Sequence, residues 1–252
     1  MLWLGADSPW WGVTLGIVAF LASQAVIGLK MRKQVAAVMQ GVQTILQEGQ
    51  KRVQEKIARW RIRPPGNIKA AQAEIARDQK QFFTAAIEAT EELRKFKRWM
   101  PMMERQIATA QFQLYWNLKD FAKVDELMGK AFLADPMMKA MKLARMFTKG
   151  AETAEMARFY EKSVKRGAYN ANVILAAAWS WMLVQRKDID GAFKVLTEAL
   201  KNSDNATLKA NHVNLMNNRP THFSNSGLGE QWYALFLEEP RIRQERPRMQ
   251  WR

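Results

Sequence analysis

His212 and His222 are the only histidines of the chain, and there is no cysteine. Zinc and iron sites draw on His, Cys and carboxylate side chains clustered at short spacing. Neither histidine has such company, so no metal site is expected. The lack of cysteine also excludes a thiol nucleophile, a disulfide framework and a zinc ribbon. Gly227-Leu228-Gly229 lacks the preceding strand and the further glycine of a dinucleotide-binding turn. No phosphate-binding loop, nucleophile elbow or zincin motif occurs. The paired carboxylates Glu91-Glu92 and Glu238-Glu239 fall on expected helix surfaces and read as solvated charge. No catalytic residue, no cofactor and no enzymatic activity are expected.

What remains is charge and where it sits. Lys and Arg number 39 against 24 Asp and Glu, a formal net charge of +15. Such an excess implies an anionic neighbour: lipid head groups, nucleic acid or an acidic protein. From Trp10 to Leu29 the chain runs for 20 residues without a charge. As a helix that run is about 30 Å long, the thickness of a bilayer's hydrocarbon core. Trp3, Trp10 and Trp11 crowd its first end, where indoles favour the interface, and Lys30, Arg32 and Lys33 close the other. Only Asp7 is charged before it. Residues 1–29 are therefore expected to be an uncleaved anchor in the inner (plasma) membrane, with the N-terminus outside and the rest cytoplasmic. A cleaved signal would carry its positive charge ahead of the apolar run. Gly12 and Gly16 form a G-x-x-x-G. Homo-oligomerisation through that face and the ordinary abundance of glycine in membrane helices are its two readings.

Residues 30–100 read as a basic helical hairpin. Its first arm carries Lys30, Arg32, Lys33, Lys51, Arg52, Lys56, Arg59, Arg61 and Arg63 against only Glu48 and Glu55. Val35, Val38, Val42 and Ile45, then Val53, Ile57 and Trp60, recur at helical spacing. Contact with anionic head groups and a plain solvated face are equally open for its cations. Pro64-Pro65-Gly66 stops this helix. A second follows, with Ile75, Phe82, Ala86, Ala89, Leu93 and Phe96 in a heptad-like seam. Packing of the two seams is preferred to self-association, because the first seam is interrupted around Gly49.

Beyond Pro101 the chain repeats. Ala131 and Ala199, Asp120 and Asp188, and Tyr115 and Leu183 are each 68 residues apart. The stretches 119–136 (Lys119-Asp120-Phe121-Ala122 onward) and 187–200 (Lys187-Asp188-Ile189-Asp190 onward) resemble the second helix of a tetratricopeptide (TPR) unit, whose period is about 34 residues. A middle unit has Leu143, Ala144 and Phe147 on one helix and Met156, Phe159, Tyr160, Ser163 and Val164 on the next, with Ser163 two residues out of register. Small residues (Ala131, Ala144, Ala157, Ser163, Ala192, Ala199) let helices approach, and Tyr115, Leu127, Phe147 and Leu196 fill the space between them. Pro136 is expected to end a helix and turn the chain into the next unit.

The fold expected is therefore all-α: an N-terminal transmembrane helix, a helical hairpin, and a TPR-like α-solenoid of about three repeats over residues 101–218, capped by a helix at 205–218. Residues 219–252 read as a loop, a short apolar helix around Trp232, Tyr233, Leu235, Phe236 and Leu237, and a tail bearing Arg241, Arg243, Arg246, Arg248 and Arg252. The resemblance implies a membrane-tethered scaffold that recruits a protein or peptide partner, a plan similar to that of bacterial inner-membrane assembly factors with TPR repeats. The alternative is a module that binds anionic lipid or nucleic acid through the stalk and tail. Nucleic acid is the less expected partner. In Lys95-Phe96-Lys97-Arg98-Trp99, where aromatics and cations interleave, Phe96 belongs to the seam.

Overall fold

α1 runs unbroken from Pro9 to Ile62, 54 residues, which makes a rod about 80 Å long. The computed structural model describes residues 9–165 and 172–240, with 9–27 described by their backbone alone. All regular structure among them is helical. After α1 come α2 (Ile68–Glu91), a 3-10 segment (Glu92–Phe96), α3 (Met103–Asn117), α4 (Phe121–Met128), α5 (Pro136–Thr148), α6 (Thr153–Lys165), α7 (Val173–Gln185), α8 (Ile189–Leu200), α9 (Ala206–Met216) and α10 (Glu230–Tyr233). The chain divides into two compact units between Phe132 and Leu133. The boundary expected at Pro101 falls inside the first of them.

In the first unit α2 returns along α1. The reversal is made by the Pro64-Pro65-Gly66 break and by Asn67, whose side chain accepts the Ala70 N–H at 3.1 Å and so starts α2. Lys56 meets Glu74 and Asp78 near this turn, and Gly49 meets Phe82 further along. Val42 then shares a cluster with Ala86, Ile87 and Leu114. At the end of the seam Met31, Val35, Val38 and Met39 pack against Leu93, Phe96, Met103 and Ile107. Gly49 is not the interruption that side-chain spacing suggested. It is buried, and any Cβ there would run into the Phe82 ring. The missing side chain is what lets the two helices close.

The second unit is organised on α7. Every residue from Ile174 to Leu183 is buried, which is why this helix is apolar on all faces. α5, α8 and α10 pack on it, and Tyr160 of α6 stacks on Trp179 at 6.0 Å between ring centres. Pro136 opens α5 at its first turn, where the missing N–H costs nothing; Asp135 caps that turn by accepting from Met137 N (2.7 Å) and Met138 N (3.3 Å).

One turn recurs along the chain. α3, α5, α7 and α9 are each followed by a residue with positive φ: Lys119 (56°), Gly150 (75°), Lys187 (64°) and Asn218 (51°). In each case the next residue's N–H returns to a carbonyl five residues back: Asp120 to Tyr115 (3.0 Å), Ala151 to Met146 (3.0 Å), Asp188 to Leu183 (2.9 Å) and Arg219 to Asn214 (2.8 Å). This is the Schellman termination, which satisfies carbonyls that a helix end leaves bare. Lys119 and Lys187 are 68 residues apart, and so are Gly150 and Asn218. Two of the pairs noticed at that spacing, Tyr115/Leu183 and Asp120/Asp188, are the two ends of this one hydrogen bond. Asp120 and Asp188 then cap α4 and α8 by accepting from Lys123 N (3.2 Å) and Gly191 N (2.9 Å).

Candidate functional site

The first unit holds a groove of about 540 Å³ between the 3-10 segment, α3 and α4. Ile107, Ala108 and Leu127 line its apolar part, and charged side chains of both signs surround it. Gln111 lies buried beneath. Its amide donates to Thr90 Oγ1 at 3.0 Å and to Glu91 Oε1 at 2.7 Å, tying α3 to the end of α2. Glu91 in turn takes a forked contact from the Arg94 guanidinium. That pairing, with help from Gln111, holds the Glu91 carboxyl below the usual carboxylate range. Lys97 does the same for Glu104, and Lys123 with Lys130 for Glu126. Arg105 lies exposed among these pairs. The trough thus sets charged side chains of both signs over a buried apolar floor.

A second hollow, about 440 Å³, lies between α1 and α2 and is lined by Arg52, Arg59, Asp78 and Phe82. In the second unit a small, mainly apolar pocket of about 80 Å³ is bounded by Val164, Val173, Ala176 and Leu208 together with Tyr160, Asn172 and Glu198. Its volume is far below the hundreds of cubic ångströms an organic cofactor needs. Burial pushes the Tyr160 phenol up to about 12, with Glu198 adding to the effect.

Comparison with protein-family models, curated proteins and solved structures returns no match. The chain's own chemistry carries the argument.

Among the described residues no three His, Cys, Asp or Glu side chains gather in a metal-binding group. His212 stacks on Phe193 at 4.4 Å, and its Nε2 lies 3.0 Å from Thr197 Oγ1, so it joins α8 to α9. His222 Nδ1 sits 3.3 Å from Thr221 Oγ1. Of the residues expected to pack the repeats, Ala144, Ser163, Ala192 and Leu196 are buried; Tyr115, Pro136, Phe147 and Ala199 are half-buried. Ala131 lies past the end of α4, its N–H returning to Leu127 O at 2.8 Å.

The stalk cations divide. Lys30, Arg32, Lys33, Lys51, Arg52 and Arg59 are exposed. Lys56 is not: its ammonium is 2.6 Å from Glu74 and also bonds Asp78, linking α1 to α2. Glu238 departs from the expectation of solvated charge as well, since it accepts two indole N–H groups. The loop from His222 to Gly229 is pinned by a buried amide ladder, Asn211 to Asn225 at 2.8 Å and Asn225 to Ala177 O at 2.9 Å. Composition read that stretch only as a loop. Polar residues spaced within apolar helices, as Gln111 and Asn211 are, were the available signal. Trp3 and the tail from Arg241 lie outside the described residues, and Trp10, Trp11, Gly12 and Gly16 are described by their backbone alone. Among the described residues no helix is long and apolar enough to cross a membrane.

Proposed function

We propose that this chain is a membrane-tethered, non-enzymatic scaffold whose TPR-like helical pairs recruit a protein or peptide partner. Residues 10–29 would cross the inner membrane, with the helical units on the cytoplasmic side. The observation that supports this reading is the helix-end turn shared by Lys119, Gly150 and Lys187, each of which leads from one helix into the next, α3 to α4, α5 to α6 and α7 to α8. Helix pairs repeated in this way present elongated surfaces for partners. The groove under Arg105 and Lys123 is the partner site in this reading, because it gathers charged side chains of both signs around one concave surface.

The continuous α1 also bears on the basic stalk. If residues 10–29 span the bilayer, an unbroken helix carries Lys51 about 33 Å beyond Leu29, several Debye lengths from the head groups. Lys51, Arg52 and Arg59 then serve solubility, and only Lys30, Arg32 and Lys33 remain near lipid.

Site-specific photo-crosslinking in the full chain tests the groove. With the photoreactive side chain at Arg105 or Lys123, a discrete protein adduct is expected. At Ile62, on the far end of α1, none is expected. Absence of an adduct specific to the groove positions, or its survival with the probe at Arg105 when Lys123 is changed to Glu and with the probe at Lys123 when Arg105 is changed to Glu, would sink this function. Release of the full chain from membranes by alkaline carbonate would remove the anchor.

A further inference from the structure

We infer that the turn between the 3-10 segment and α3, residues 97–102, is a docking surface for the anionic head groups of the leaflet from which α1 emerges. The inference rests on the anchor reading proposed above and adds to it a second, non-spanning membrane contact.

Packing positions the turn. Leu93, Phe96, Met103 and Ile107 are buried together against Met31, Val35, Val38 and Met39. Those α1 residues begin two positions after Leu29, the last of the uncharged run, and extend about 12 Å along the helix axis. Long-range folding thus brings residues 92–107 beside the stretch of α1 that follows the expected span. Phe96 is buried, yet Trp99 is 59% exposed and Met102 52% exposed. A large indole left in water costs free energy, and the lipid interface is where tryptophan is preferentially found.

The charge around the turn fits the same occupant. Lys95, Lys97 and Arg98 flank Trp99, and Lys30, Arg32 and Lys33 stand on the adjoining part of α1, all exposed. Lys95 and Lys97 pair with Glu92 and Glu104; Arg98, Lys30, Arg32 and Lys33 have no ion-pair partner among the described residues. Cations within about a Debye length of an anionic leaflet (~8–10 Å) feel its surface potential. An exposed aromatic preceded by three exposed cations, on a turn whose flanking segments pack on the helix expected to enter the membrane, matches an anionic lipid surface better than a nucleic acid, which the bilayer would hold away.

The cysteine-free chain lends itself to a direct test. Single cysteines at Trp99→Cys, Ala22→Cys and Ile62→Cys in the full chain take one environment-sensitive fluorophore each, and the protein is reconstituted in vesicles. The vesicles are phosphatidylcholine with or without phosphatidylglycerol, carrying spin labels on either head groups or acyl chains. Position 99 is expected to be quenched by head-group labels in the anionic vesicles. Changing Lys95, Lys97 and Arg98 together to Gln should lower its docked-to-free ratio about 100-fold, at roughly fivefold per cation. Position 62, about 50 Å along α1, should stay unquenched. Position 22 should be quenched by acyl-chain labels throughout. If position 22 is quenched and position 99 is not, the docking surface is overturned and the anchor stands. Quenching at 99 that ignores lipid charge and the triple substitution also overturns it. An unquenched position 22 overturns the anchor and this inference with it.

Discussion

The indole rings of Trp181 and Trp232 meet edge to face with centres 5.7 Å apart, and both donate to the same carboxylate. Trp181 Nε1 reaches Glu238 Oε1 at 2.9 Å, and Trp232 Nε1 reaches Glu238 Oε2 at 2.7 Å. Trp232 is wholly buried, so the short α10 and the residues after it are part of the core of the second unit. Glu238→Gln keeps the shape but leaves one indole N–H facing an amide. A loss of about 1–3 kcal/mol is expected. Urea unfolding followed by tryptophan fluorescence measures it; an unchanged midpoint would show that the shared carboxylate is not a stabilising contact.

Gly49 provides a test whose sign is diagnostic. In an ordinary helix interior Gly→Ala stabilises by about 1 kcal/mol. Here the new methyl would run into the ring of Phe82, so Gly49→Ala is expected to destabilise by about 1–3 kcal/mol. Adding Phe82→Ala should cancel most of the penalty from the first change. A double-mutant cycle on thermal unfolding checks the coupling.

Alkaline pH should find Tyr160. Its phenol is raised by burial from 10.0 to about 12, so the unfolded chain ionises first. The contribution is intact below about pH 10 and is lost as pH climbs towards 12. The loss is on the order of 2 kcal/mol. Tyr160→Phe should be flatter over that window, and the difference between the two pH profiles of the denaturation midpoint isolates this residue from the titrating lysines.

Lys187 sits in the left-handed region at φ 64°, where Gly150 occupies the same place in its own turn. An L side chain there costs about 1–2 kcal/mol, part of which glycine gives back through its freer unfolded state. Lys187→Gly is therefore expected to stabilise by about 0.5–1 kcal/mol, read as a rise in melting temperature.

Much of the first unit was legible as spacing. Ala86, Leu93 and Phe96 are buried where the heptad-like steps put an apolar face, because a helix's period is local and each side chain announces its own side. Gly49 was misread for the same reason: a count of apolar side chains scores glycine as a gap, although a gap is what a close helix crossing needs. The 68-residue pairs were visible as recurrence, but their meaning lay in the backbone, in the bond from Asp120 N to Tyr115 O and its counterpart from Asp188 to Leu183.

By itself the sequence determined the helical class, the exclusion of thiol chemistry, and the uncharged run from Trp10 to Leu29, since each follows from residue type and short-range order. Only the tertiary structure decided which charges are spent inside the protein. Lys56 bonds residues 18 and 22 positions away, and Trp181 finds Glu238 across 57. Nothing in a local window distinguishes these side chains from solvated ones. A polar group's role is set by what the folded chain brings within hydrogen-bond distance of it, and for Lys56 and Glu238 that is a carboxylate pair and two indoles.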